Sequence, residues 1–197
     1  MPRVKKIGLY FGSFNPIHMG HLIIAQSMLT HTDLQEIWFV VSPQNPLKQN
    51  TSLEKEEHRL QMVSLAVADN EFFKPCDAEF SLPRPSYTVD TLEYLREKCP
   101  EYLFCILMGG DNLESFHHWK SYEQIVEKHQ LYVYPRMGYA IENNFLEELI
   151  QCKDFPYLDI SSTYIREQIH AGKSIKYLVA DSVWEYIKSK TLYGYCI

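Results

Sequence analysis

Tyr10-Phe11-Gly12-Ser13-Phe14-Asn15-Pro16-Ile17-His18-Met19-Gly20-His21 stands where an apolar run gives way to a helical pattern. Residues 7–11 have the length and composition of a short buried strand, and Leu22, Ile23, Ala25, Gln26 and Leu29 recur downstream at helical spacing. Both histidines therefore sit in a strand-to-helix turn. A helix N-terminus presents unpaired backbone N–H groups and the positive end of the macrodipole, so such a turn attracts phosphate, and imidazoles add further donors. Gly12 and Gly20 permit close backbone approach or positive φ, while Asn15-Pro16 imposes an extended or turned path between them. One histidine alone would read as a surface or capping residue. The coincidence of H-x-G-H with a strand end, two glycines and a helix start favours an anion site.

Working outward, apolar runs and helical patterns alternate along the chain in the manner of a parallel sheet wrapped by helices. Strands are predicted over 7–11, 37–42, 72–75, 104–108, 131–134 and 157–160. Helices are predicted over 20–30, 89–98, 122–128, 162–170 and 183–189, the last after a Ser182…Glu185 capping box. A further helix follows Thr51-Ser52-Leu53-Glu54, a plausible capping box, with Leu53, Leu60, Val63 and Val67 on one face. In open parallel sheets ligands bind beyond the carboxyl ends of the strands. His18 and His21, then Gly109-Gly110-Asp111, then Ser161-Ser162 with Arg166 all follow predicted strands, so three loops are expected to converge on one crevice.

In Ser161-Ser162-Thr163-Tyr164-Ile165-Arg166 the small hydroxyls suit a helix start, and a guanidinium about one turn on can grip two phosphate oxygens. Read alone, this is an N-cap followed by a solvated arginine. Lys48 in Pro43-Gln44-Asn45-Pro46-Leu47-Lys48 is either a second phosphate cation or an exposed loop lysine. Asp111 suits ribose hydroxyls, a metal-bound water, or a helix N-cap. Trp119 as an isolated tryptophan reads as core, although His117, His118 and Lys120 beside it make partial exposure credible.

Gly12-Ser13-Phe14-Asn15-Pro16-Ile17-His18-Met19-Gly20-His21 resembles the G-[ST]-F-[DN]-P-x-H-x-G-H signature of the HxGH nucleotidyltransferases, and Ile160-Ser161-Ser162-Thr163-Tyr164-Ile165-Arg166 resembles the ISSTxIR element of the pyridine mononucleotide adenylyltransferases. Pro85-Ser86-Tyr87-Thr88-Val89-Asp90-Thr91-Leu92, Met108-Gly109-Gly110-Asp111-Asn112-Leu113 and Trp119 are similar in order to the bacterial nicotinate-nucleotide enzymes. Phe11 departs from that pattern, which usually has a glycine there. The resemblance covers nearly the whole chain. It implies an α/β fold, a Rossmann-like doubly wound parallel sheet of the HxGH nucleotidyltransferase type, in one domain over 1–197 whose helical portion from about 162 packs on the rest.

The same resemblance implies transfer of AMP from ATP to nicotinate mononucleotide, giving nicotinate adenine dinucleotide and pyrophosphate. His18, His21 and Arg166 would be catalytic. Gly12, Ser13, Phe14, Gly20, Gly109, Asp111, Ile160, Ser161 and Ser162 would join them around ATP. Ser13, Phe14, Lys48, Tyr87, Thr88, Trp119 and Lys120 would hold nicotinate mononucleotide, with backbone N–H groups of Thr88 and the Trp119-Lys120 peptide meeting its carboxylate. Mg²⁺ would ride on the ATP phosphates without a protein metal site. Nicotinamide mononucleotide or phosphopantetheine as acceptor, and a nucleotide-binding regulator without turnover, are the competing readings. A dinucleotide-binding dehydrogenase is disfavoured because no G-x-G-x-x-G follows the first strand.

Composition sets outer limits. The chain has 197 residues, 46% hydrophobic and 22% charged, which suits one globular domain. Its net charge of −6 argues against a broad nucleic-acid surface, which needs a basic stripe. The apolar stretch after the basic N-terminus is interrupted before reaching signal or membrane-spanning length, so a cytoplasmic protein with no membrane partner is expected. Five cysteines with no C-x-x-C pair read as incidental thiols. The oligomeric state stays open, a homo-oligomer included.

Overall fold

A computed structural model describes residues 4–43, 53–136, 138–139, 149–151, 156 and 158–196. Six parallel strands form one sheet: β1 (Lys5–Gly12), β2 (Glu36–Val41), β3 (Phe73–Cys76), β4 (Tyr102–Gly109), β5 (Leu131–Tyr134) and β6 (Leu149–Gln151). Their order is β3-β2-β1-β4-β5-β6, so the direction of winding reverses between β1 and β4. That reversal opens a crevice at the carboxyl ends of the two central strands.

The strand residues alternate between two cores, as a period of two requires. Tyr10, Phe39, Leu107, Tyr132 and Tyr134 belong to one. Ile7, Leu9, Val40, Ile106 and Val133 belong to the other. The first face is covered by α1 (Met19–His31), α2 (Glu56–Val67), α6 (Ser162–His170) and α7 (Asp181–Ser189), through Ile24, Met28, Val63, Ile165, Ile169, Val183 and Ile187. The second is covered by α3 (Thr88–Lys98), α5 (Tyr122–Lys128) and a 3-10 turn at Ala78–Ser81. The α6 and α7 helices thus share the core of β1 and β2. A short α4 (Gly110–Glu114) directly follows β4. Among the described residues no helix is long and apolar enough to cross a membrane.

Three sequence expectations are corrected. No strand covers Leu158–Ile160; the sixth strand is β6 at Leu149–Gln151, a three-residue edge strand too short for periodicity to mark it. The helix after Glu54 begins at Glu56 with Lys55 as N-cap and no side-chain cap, so Leu53 precedes it, and Thr51 and Ser52 lie outside the described residues. The α7 helix is capped from Ala180, and the Ser182 hydroxyl instead donates to the Leu65 carbonyl at 3.0 Å, tying α7 to α2.

Candidate active site

The first strand delivers the chain into the crevice at Gly12, and the turn that follows is packed tightly. Phe14 takes a left-handed φ of 45° and buries its ring, which lies edge-on to His21 at 5.0 Å. A Cβ on Gly12 would stand 2.9–3.1 Å from that ring. The glycine is therefore required by the folded-back phenylalanine, and not only by access for a ligand. Whatever ligand contact Phe14 makes belongs to its backbone, because its side chain is core.

His18 caps α1 with an extended backbone, and its imidazole stacks on that of His21 with centroids 3.7 Å apart and planes 25° apart. The His18 N–H donates to His21 Nδ1 at 3.2 Å, so the neutral His21 ring carries its proton on Nε2. Gly20 leaves room for the pair: a Cβ there would stand 3.0 Å from His18 Nδ1. Burial, helped by Arg136, pushes the His18 pKa down to about 3. Burial, then His18, then Arg136 drive that of His21 well below the usual histidine value. Both imidazoles are neutral N–H donors at physiological pH. Tyr10, Phe14 and Phe39 form an aromatic floor beneath them.

Arg136 was not singled out from the sequence. It lies two residues beyond β5, at the same carboxyl edge, which is the signal that could have found it. Its guanidinium sits 5.7 Å from the Tyr134 ring centroid, and Nε lies 3.7 Å from Asp111 Oδ1. That separation is ionic attraction without a hydrogen bond. Arg136 Nε and Asp111 Oδ1 are both buried and lack hydrogen-bond partners among the described residues. A Cβ on Gly109 would fall 2.3 Å from Asp111 Oδ1 and 3.1 Å from the Tyr134 ring, so any side chain there would displace the carboxylate.

The Ser161-Ser162…Arg166 segment meets the loop from the other side. Ser161 Oγ accepts from Tyr164 N–H at 3.2 Å as the N-cap of α6, and Ser162 Oγ donates to the Pro16 carbonyl at 2.9 Å. Arg166 Nη1 donates to the Asn15 carbonyl at 2.8 Å and Nη2 to Thr163 Oγ1 at 3.2 Å. The guanidinium expected to grip two phosphate oxygens is therefore partly spent on bracing the loop. Ile160 touches the α1 turn, its Cβ 3.7 Å from where a Gly20 Cβ would stand.

The two segments expected to form the acceptor pocket also meet. Lys120 Nζ sits 4.7 Å over the Tyr87 ring and pairs with Asp90 at 2.9 Å. Trp119 packs on Phe116 at 5.2 Å and is only partly buried. The Trp119 backbone N–H donates to the Phe116 carbonyl at 2.9 Å, whereas the N–H of the Trp119–Lys120 peptide is that of Lys120. Beneath Tyr87, the buried Glu79 carboxylate accepts from Ser86 Oγ at 2.8 Å and Thr91 Oγ1 at 3.2 Å. Lys48 lies outside the described residues. Burial raises the Cys76 thiol to about 11 and the Cys105 thiol to about 12, which suits inert cysteines.

A family model described as cytidylyltransferase-like matches residues 9–168. A protein of Flavobacterium johnsoniae named probable nicotinate-nucleotide adenylyltransferase is 52% identical over 95% of this chain and 98% of its own length. One of Bacteroides thetaiotaomicron with the same name is 43% identical over 93% and 91%. Among solved structures, the Plasmodium falciparum nicotinic acid mononucleotide adenylyltransferase complexed with NaAD shares the fold, with a TM-score of 0.79 at 23% identity over 98% of both chains. Matched nearly end to end at such identity, the chain belongs to the cytidylyltransferase-like family and sits among its nicotinate-nucleotide adenylyltransferases.

Proposed function

We propose that this chain transfers AMP from ATP to nicotinate mononucleotide, releasing pyrophosphate and forming nicotinate adenine dinucleotide. The observation that carries the mechanism is the stacked, neutral His18–His21 pair at the start of α1, with Arg136 close enough to depress both. A phosphate oxygen of the mononucleotide attacks the α-phosphorus of ATP, and the bond to the pyrophosphate oxygen breaks with its electron pair leaving on pyrophosphate. The attacking oxygen is already ionised, so no general base is needed. Catalysis is then alignment plus donors aimed at growing negative charge. His21 Nε2–H and His18 supply neutral donors, while Arg136 and Arg166 supply positive charge from β5 and α6.

No group of three His, Cys, Asp or Glu side chains suited to a metal exists among the described residues. The donor set fits Mg²⁺ carried on the triphosphate, where it would neutralise charge, with Asp111 placed to accept from one of its waters. ATP as donor suits a cytoplasmic enzyme. Pyrophosphate release measured with ATP and each of nicotinate mononucleotide, nicotinamide mononucleotide and phosphopantetheine tests the assignment. Turnover with none, or with phosphopantetheine alone, refutes it.

Acceptor choice follows from donors. The Thr88 and Lys120 N–H groups suit a carboxylate, whereas an amide would turn its own NH₂ donors toward them. Each group left unpaired costs about 1–3 kcal/mol, so kcat/KM is expected to favour nicotinate over nicotinamide mononucleotide by at least about tenfold. Equal values would remove these amides from the pocket.

Arg166→Lys keeps the charge but cannot both hold the Asn15 carbonyl and present a planar fork to phosphate. A loss of about tenfold or more in kcat/KM for ATP is expected. An unchanged value would place Arg166 in a purely bracing role.

A further inference from the structure

Arg59, on the first turns of α2, is 1% exposed, an unusual place for a guanidinium. Main-chain carbonyls of three chain segments satisfy it. Nε donates to Glu54 O at 2.9 Å, Nη1 to Ser13 O at 2.6 Å and to Ser42 O at 2.8 Å, and Nη2 to Pro43 O at 3.1 Å. Ser13 belongs to the turn after β1, Ser42 and Pro43 follow β2, and Glu54 precedes α2. Burying a charge costs several kcal/mol, and an apolar side chain of similar volume often serves stability as well or better. What a planar five-donor ion adds is direction: it fixes where several carbonyls point relative to one another.

The Ser13 carbonyl is the peptide immediately before Phe14, the residue whose left-handed φ turns its ring onto His21. A continuous path of contacts therefore runs from the Arg59 guanidinium through the Ser13–Phe14 peptide and the Phe14 ring to the His21 imidazole. We propose that Arg59 is a positioning residue for adenylyl transfer: it holds the Ser13–Phe14 peptide in register with the end of β2, and so holds the His21 ring at the angle from which it donates. The inference rests on the proposed reaction only for its catalytic readout.

The test uses the full chain with Arg59→Lys and Arg59→Ala. Lysine keeps the charge and reaches fewer carbonyls. Expected in folded Arg59→Lys is a fall in kcat of about tenfold or more, with KM for ATP changed less than about threefold. The His21 Cε1–H proton resonance, sensitive to the Phe14 ring beside it, should shift as well. A merely structural arginine would lower Tm while leaving kcat per folded molecule and that resonance unchanged. Arg59→Lys within twofold of the wild-type kcat, or an unmoved resonance, overturns the proposal. Should Arg59→Ala fail to fold, Arg59→Lys decides alone. Should the wild-type chain not turn over ATP and nicotinate mononucleotide, the proposed function fails, and the His21 resonance by itself decides whether Arg59 sets that ring.

Discussion

His18→Ala and His21→Ala each lose about 10²–10³ in kcat with ATP and nicotinate mononucleotide while remaining folded, corresponding to about 2–4 kcal/mol of transition-state stabilisation per donor. The size follows from where the donors stand. His18 is buried, His21 is partly buried, and both are neutral, so their N–H groups meet developing charge on the triphosphate with reduced competition from solvent. Since His18 donates its backbone N–H to His21 Nδ1 and stacks on that ring, the two side chains act as a unit. The double variant should lose less than the product of the single losses. Neutral donation also fixes the pH behaviour. With both pKa values lowered, no histidinium is lost between pH 7 and 9, and kcat should not fall there. A pH profile dropping through that range would contradict neutral donation, and near-wild-type turnover in both variants would remove the histidines from the chemistry.

The parts of this site that could be read from sequence are those written in consecutive residues. The strand, glycines and H-x-G-H of 10–21 placed β1, the turn and α1, and the hydroxyl run before Arg166 placed the start of α6. Residues that act by long-range contact were less legible, the place of Arg136 just past a predicted strand being its one signal. Arg136 and Arg59 sit in ordinary local patterns, one after a strand and one in an amphipathic helix. Only the sheet order brings Arg136 to the histidines, and only the folding of Ser13, Pro43 and Glu54 onto α2 shows why Arg59 is buried. Hydrogen-bond consumption was equally hidden. Part of the Arg166 fork reads as an available donor, yet the Asn15 carbonyl takes it. Gly12 illustrates a third limit, since its neighbour Phe14 dictates the glycine and nothing in the one-dimensional pattern says which way that ring folds.

The cost of keeping two imidazoles neutral should appear as acid sensitivity of the unliganded protein. A histidine whose folded pKa lies below its unfolded value leaves stability unaffected above about pH 6.5, where neither state binds the proton. Below that, the unfolded chain takes up a proton that the folded chain refuses, so stability falls with pH until the folded pKa is reached. For His18 the window runs from about 6.5 down to about 3. At 1.36 kcal/mol per pH unit, His18 alone should cost about 2 kcal/mol between pH 6.5 and pH 5. His21, and His129 with its ring buried against the Phe104 carbonyl, act in the same direction. Glu79 opposes them, because burial raises its pKa and protonation at low pH relieves its cost. His18→Asn isolates the effect: urea unfolding at pH 7 and pH 5 should show the wild type losing about 2 kcal/mol more than this variant over the interval. Saturating ATP should raise the unfolding free energy of the wild type at both pH values, since it binds only the folded chain. Identical pH dependence in the two proteins would mean that His18 takes up its proton in the fold as readily as in the unfolded chain, so that burial does not hold the ring neutral below about pH 6.5.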